Sequence, residues 1–285
     1  MSTLYQAYGS CSQLAYRQIA SSADVSIVYL PGLLSTMDGR KSRALQAYAV
    51  DRGFGYVCFD YKGHGESSGK FVDCTMRDFV GNAMFVLENM CKDSERVILV
   101  GSSLGAWVGL WLALSGGSCK IDAVVGVGSA VDFTRSIFGS LTAKERDWLA
   151  GGQHVSVTSP YLDDPYPFTG DLYRSGDEYL LLGKDDTIES KCPVAVRLLH
   201  GSNDDVVSCA SIQDTVGKLR SSFRDIEVTV VEHGDHRLSR NRDIDILVNT
   251  IDKLALSTYN DNGLMHVDLP IIHLFRLRSD RKQCV

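Results

Sequence analysis

The feature that most constrains the fold is a repeated unit, a short unbroken apolar run followed by a stretch with helical spacing. The runs are Val25 to Leu30 (VSIVYL), Tyr56 to Phe59, Arg96 to Val100, Asp122 to Val127 (DAVVGV), Val194 to Leu199 (VAVRLL) and Ile226 to Val231 (IEVTVV). Helices are predicted over Arg43 to Arg52, Met76 to Cys91, Ala106 to Leu114, Ser211 to Leu219 and Asp243 to Ser257. Strands that are apolar without alternation are buried on both faces, and the intervening helices supply the cover. The expectation is an α/β chain with a mostly parallel sheet. In such a sheet ligands gather at the carboxyl ends of the strands, where the connecting loops converge.

The alternation breaks between Asp132 and Lys191, a segment rich in Gly, Asp, Tyr and Pro with helical patches. An insertion of this length after a strand's carboxyl end predicts a small cap or lid. At 285 residues, 44% hydrophobic and 22% charged, the chain can bury a large core. Its net charge of -6 argues against a nucleic-acid partner, which requires a basic face.

Val97 to Cys119 carries no charge and is long enough to span a membrane. Gly101, Ser102, Ser103 and Gly105 interrupt it, so a buried strand, a tight turn and a buried helix are expected instead. The eight cysteines are scattered without metal-site or redox spacing and read as reduced thiols, Cys58 as a small core residue. Met1 to Ala23 has one basic residue and no continuous apolar region, so it is not a secretory signal. From Ser257 to Val285 the chain turns apolar and basic. Such a tail packs on its own domain or stays disordered more often than it touches a membrane surface, and the former is expected.

Gly-x-Ser-x-Gly occurs twice, as Gly65-Glu66-Ser67-Ser68-Gly69 and Gly101-Ser102-Ser103-Leu104-Gly105. A nucleophile elbow requires a strand entering the first glycine and a helix leaving the last. Only the second match has this setting, which makes Ser103 the nucleophile and Ser67 a turn residue. A serine hydroxyl needs a base, and the base needs a carboxylate to orient it. His236, just past the last apolar strand, is the expected base, with His233 its neighbouring competitor. His200 is expected to be a structural hydrogen-bonder. For the acid, Asp204 is favoured, with Asp205 beside it and Asp132 after an earlier strand as alternatives. The order Ser103, Asp204, His236 agrees with nucleophile, acid and base on this architecture. Two backbone amides, Leu33 after the first strand and Leu104 after the serine, are the expected oxyanion donors. Neither a metal nor a cofactor is called for.

Together LPGLLSTMDGRK, FDYKGHGESSG, ILVGSSLGAW, RLLHGSNDDVV and EHGDHR resemble the α/β-hydrolase superfamily. Within it they are similar to the mitochondrial acyl-protein thioesterase and acyl-glucuronide esterase subgroup. The resemblance implies an α/β-hydrolase domain over residues 14–256, a cap at 132–191 and a separate tail at 257–285. It also implies a serine hydrolase acting on acyl esters or thioesters, acylated proteins among them. In it Ser103, Asp204 and His236 take the triad roles, and Leu33 and Leu104 form the oxyanion hole. About thirteen residues precede the similarity, where members of the subgroup carry a long leader. A cytoplasmic location is therefore expected first and a mitochondrial one second. A small peptidase of the same fold and a non-catalytic binding protein are the competing readings. A nucleotide-binding protein is disfavoured, because no Gly-rich phosphate loop is complete.

Overall fold

The computed structural model describes residues 1–8, 12–20, 24–116, 120–183, 193–223, 225–259 and 265–266. In chain order the sheet strands are β1 (Leu4–Tyr8), β2 (Ser12–Ile19), β3 (Val25–Leu30), β4 (Gly55–Phe59), β5 (Arg96–Ser102) and β6 (Ile121–Val127). After the insertion, which carries β7 (His154–Val157) and β8 (Tyr166–Thr169), come β9 (Ala195–Gly201) and β10 (Asp225–Val231). The helices flanking the sheet are α1 (Arg40–Arg52), α2 (Met76–Met90), α3 (Leu104–Ser115), α7 (Cys209–Leu219) and α8 (Asn241–Leu256). The insertion holds α4 (Phe133–Ser140), α5 (Ala143–Ala150) and α6 (Gly170–Gly176).

The eight-stranded sheet has the order β1-β2-β4-β3-β5-β6-β9-β10. From β4 to β10 every neighbouring pair is parallel, while β1–β2 and β2–β4 are antiparallel. All six strands expected from apolar runs are present. Within them alternate residues feed two cores. Val28, Leu30, Val57, Leu99 and Val124 face α2 and α3, whereas Ile27, Tyr29, Tyr56, Ile98 and Val125 face α1 and α8. Burial of both faces is the reason these strands read as unbroken apolar runs.

The charge-free stretch resolves into β5 and α3. Helix α3 is buried on nearly all sides, from Leu104 through Leu110 and from Leu112 through Leu114. Among the described residues no helix is long and apolar enough to cross a membrane. Cys58, Cys74 and Cys91 are free and buried, and burial pushes the Cys74 and Cys91 thiols up to about 12, where they are unreactive at neutral pH.

The strands β1 and β2 were not expected. They lie at the sheet's antiparallel edge and leave much of their surface exposed, so their residues carry no unbroken apolar run. The expected tail, from Ser257, includes β11 (Thr258–Tyr259), which pairs with β12 (Met265–His266). Residues 267–285, with the basic cluster, lie outside the described residues.

The insertion leaves the sheet at Asp132, whose φ of 53° is left-handed. Besides helices it contains a hairpin, β7 with β8, that its four-residue strands did not signal. Asp132, the alternative acid, has its carboxylate bonded within the insertion. Its carboxylate accepts the amides of Leu181 (3.0 Å) and Leu182 (2.9 Å), tying residues 181–182 back to the insertion's first turn. Burial pushes this carboxyl's pKa up against the pull of those amides. Asp132→Ala orphans both, at about 1–3 kcal/mol for each buried donor. A fall in melting temperature is the expected result, smaller for Asp132→Asn, which keeps one acceptor. An unchanged melt of the alanine variant would remove this role.

Candidate active site

Ser103 stands between β5 and α3 with φ 52° and ψ -111°, a conformation that L-residues rarely adopt. The turn is this sharp because strand and helix touch through glycines. A β-carbon on Gly101 would lie 2.3 Å from the Gly105 backbone, and one on Gly105 would lie 2.1 Å from the Leu30 carbonyl oxygen. Small residues at these two positions let the helix start directly above the strand end, which points the Ser103 hydroxyl out of the sheet.

The carboxyl ends of β9 and β10 bring the other two groups to it. Ser103 Oγ lies 3.1 Å from His236 Nε2, and His236 Nδ1 lies 2.8 Å from Asp204 Oδ2. The Asp204 side chain is fully buried and that of His236 is 10% exposed. Oδ1 of Asp204 accepts the amides of Val206 (2.9 Å) and Val207 (2.8 Å), which fixes the carboxylate plane. Burial pushes the Asp204 carboxyl upward, but the bond from His236, the two amides and the imidazole's charge outweigh it and hold the carboxyl below the usual range. A lowered native pKa contributes stability above the unfolded value, near 3.9, and that stability is lost as pH falls through the native one.

The alternatives fall elsewhere. Asp205 accepts a hydrogen bond from Tyr161 OH at 2.8 Å. The ring of His233 is exposed, and its backbone amide donates to Ser202 Oγ. His200 is wholly buried, with Nδ1 3.8 Å from Asp204 Oδ2, beyond hydrogen-bond distance. Burial lowers its pKa, against the pull of Asp204, which favours a neutral ring. Ser67 accepts from Ala15 N and donates to Asp60 O, so the first Gly-x-Ser-x-Gly match pins a loop to the sheet edge.

Leu33 and Leu104 both border the cavity at Ser103. Leu104 opens α3, so its N–H is among the first amides of a helix, which have no acceptor one turn back. The loop of Leu33 is held from below. Its turn closes through Ser35 N to Gly32 O (3.1 Å), and buried Asp60 accepts Met37 N at 2.7 Å.

The cavity over Ser103 measures about 1070 Å³, at the top of the roughly 300–1,000 Å³ range of small-ligand sites. The insertion lines it with Phe133, Ile137, Val157, Leu162, Tyr166 and Leu182, while Arg40, Lys41 and Arg237 stand on the core side. Lys41 and Tyr161 had no role in the sequence reading. Lys41 Nζ donates to Arg237 O (2.5 Å) and Ser239 Oγ (3.3 Å), and burial pushes the amine down to about 8. The signal for Lys41 was its place at the end of LPGLLSTMDGRK. That for Tyr161 was an aromatic residue in a Pro-bounded loop of the insertion.

The family model "Alpha/beta hydrolase family" matches residues 27–245. The chain is 31% identical over 242 residues to the palmitoyl-protein thioesterase ABHD10, mitochondrial, of Bos taurus, covering 85% of this chain and 76% of that protein. Its Homo sapiens counterpart is 30% identical over 242 residues, with the same coverage. Among solved structures, alpha/beta hydrolase domain-containing protein 10 from mouse superposes with a TM-score of 0.78 at 27% identity, covering 90% of this chain and 98% of that one. A putative hydrolase from Agrobacterium vitis S4 superposes with a TM-score of 0.78 at 31% identity, covering 89% and 97%. On the matched sequence, the sheet order and the strand–serine–helix turn, this chain belongs to the alpha/beta hydrolase family.

Proposed function

We propose that the protein is a serine hydrolase that cleaves carboxylic esters or thioesters, S-acyl cysteines of proteins among them, through an acyl-enzyme. The observation that carries this reading is the pair of contacts from Ser103 Oγ to His236 Nε2 and from His236 Nδ1 to buried Asp204. His236 takes the Ser103 proton as Oγ attacks the acyl carbonyl carbon. Asp204 holds the ring with Nε2 toward the serine and stabilises the imidazolium. The amides of Leu33 and Leu104 receive the developing oxyanion. His236 then protonates the leaving thiol or alcohol, and the sequence repeats with water to release the acid. The apolar side of the cavity suits the acyl chain, and the insertion serves as its lid. The thioesterase names of the relatives support the thioester over the amide, and their mitochondrial names favour that location over the cytoplasm.

Treatment with an alkyl fluorophosphonate followed by peptide mass spectrometry is the test. An adduct on the Ser103 peptide and not on the Ser67 peptide supports an activated serine, and a chain-length series of acyl thioesters, esters and amides then ranks the leaving groups. Faster turnover of amides would favour the peptidase. No adduct on the folded protein would favour a non-catalytic binding protein. Asp204→Asn, whose amide nitrogen cannot accept from Val206, Val207 or Nδ1, is expected to lose on the order of 10³–10⁴-fold in kcat. Its melting temperature should fall below wild type at pH 7, and the gap should start to close near pH 4 and narrow further as pH falls through the lowered native value. A gap that widens on acidification would contradict the assignment.

A further inference from the structure

The loop of residues 158–165, between β7 and β8, meets the triad through Tyr161. The Tyr161 hydroxyl donates to Asp205 Oδ1 at 2.8 Å and accepts from the His236 backbone amide at 3.3 Å. Its ring lies against the His236 imidazole, with centroids 5.8 Å apart and planes 30° from parallel. Arg237 fastens it in two ways: the guanidinium sits 4.8 Å from the ring centroid, and Nη2 donates to the Tyr161 carbonyl at 2.6 Å.

These contacts converge on one distance. Asp204 and Asp205 sit on the loop after β9, and His236 on the loop after its neighbour β10. The gap between the two loops therefore sets the His236 Nδ1 to Asp204 contact. One phenol oxygen bonds to both loops, one residue from Asp204 on one side and at His236 itself on the other. Gly201 and Val231, opposite each other in the last rung of the two strands, stand several residues before these side chains. Beyond that rung the loops are tied directly by Ser202 N to Val231 O (3.0 Å), Asn203 N to Gly234 O (2.8 Å) and His233 N to Ser202 Oγ (2.8 Å), all before His236, while the hydroxyl bridge from the insertion bonds at His236 itself and at Asp205, next to Asp204.

We propose that Tyr161 is a positioning residue through which the insertion, when seated, holds His236 in register with Asp204. The inference rests on the reading of Ser103, Asp204 and His236 as the triad. Enclosure of substrate and assembly of the base are then one event: lifting the 158–165 loop to admit an acyl group removes the bridge, and reseating it restores the relay. Arg237, next in the chain to the base, is the fastener on the core side.

The experiment compares Tyr161→Phe, Tyr161→Ala and wild type on p-nitrophenyl acetate, a substrate too small to need the apolar wall, with melting temperature and fluorophosphonate labelling rate measured alongside. Tyr161→Phe keeps the ring and the guanidinium stack and removes only the bridge. It should lose roughly fivefold or more in kcat and in labelling rate, with KM within about twofold. Tyr161→Ala should lose more, and Phe in place of Ala should restore part of the rate. Asp163→Ala, an exposed neighbour outside the cavity wall, should behave as wild type. A Tyr161→Phe protein with wild-type melting, kcat and labelling rate overturns the proposal, as does a loss confined to KM. Should the alanine variant fail to fold, the phenylalanine variant decides alone. If wild type itself takes no label at Ser103, the triad reading fails. If wild type is labelled and Tyr161→Phe is labelled equally fast, only the positioning role fails.

Discussion

Replacing Ser103 by alanine should lower ester and thioester hydrolysis by roughly 10⁴-fold or more while the protein still melts cooperatively, because in the proposed mechanism its hydroxyl forms the acyl bond, and it contributes little packing. Residual turnover above a thousandth of wild type would point to another nucleophile. A second substitution separates chemistry from strain. Ser103 holds φ 52° and ψ -111°, and a non-glycine residue in such a region costs of order 1–3 kcal/mol. Ser103→Gly should therefore be as inactive as the alanine variant but more stable than it. The net gain is the strain released less about 0.5–1 kcal/mol of extra chain entropy in the unfolded state. At this chain length each kcal/mol moves the melting temperature by roughly 2–4 °C. The expected order of melting temperatures is glycine above alanine. The reverse order would mean that the turn stores no strain.

Gly105→Ala is expected to be among the most damaging added methyls at the described glycines. The added carbon would lie 2.1 Å from the Leu30 carbonyl oxygen, 2.7 Å from the Leu30 carbonyl carbon and 2.7 Å from the Pro31 oxygen. All three are backbone atoms. They cannot swing away as a side chain would, because β3 is held on both sides: Tyr29 pairs with Cys58 of β4, and Leu30 with Gly101 of β5. Relief requires α3 to lift off the sheet, which pulls Leu104 and Ser103 away from the Leu33 loop. A loss above about 4 kcal/mol is expected, against a total stability of roughly 5–15 kcal/mol. The measurements are soluble yield, melting temperature and fluorophosphonate labelling. The control is Gly217→Ala on the exposed face of α7, where nothing lies within 4 Å of the new carbon. Helix propensity there should add up to about 1 kcal/mol of stability. A Gly105→Ala protein that melts and labels like wild type would show that the close approach at the elbow is not required.

The parts of the molecule that were legible in the sequence are those in which neighbours along the chain carry the signal. β3, β5 and β6 are buried on both faces, so burial leaves an unbroken apolar run in each. The elbow is a local motif, because strand, glycine, serine, glycine and helix must follow one another within a few residues. The strands β1 and β2 escaped because they lie at the sheet's margin, where partial exposure mixes polar and apolar residues without strict alternation. The β7–β8 hairpin escaped for a related reason. Its strands are four residues long, and Pro167 interrupts one of them.

Within the site the same division holds. Ser103 could be chosen over Ser67 from the flanking residues alone, since one is followed by a helix and the other sits in a polar loop. Asp204, Asp205 and Asp132 could not be separated that way. All three are acids near the carboxyl end of a strand, and what distinguishes them is the partner each meets across the fold. Asp204 meets His236, Asp205 meets Tyr161, and Asp132 meets the amides of Leu181 and Leu182. The sequence by itself determined the parallel sheet, the elbow and the candidate nucleophile, because burial on both faces and a strained turn impose residue types on consecutive positions. Which carboxylate faces His236, and the bridge that Tyr161 makes between the loops beside it, follow from the tertiary structure alone. Hydrogen bonds between groups 32 to 133 residues apart depend on where the sheet brings strand ends together, and that distance leaves no local pattern.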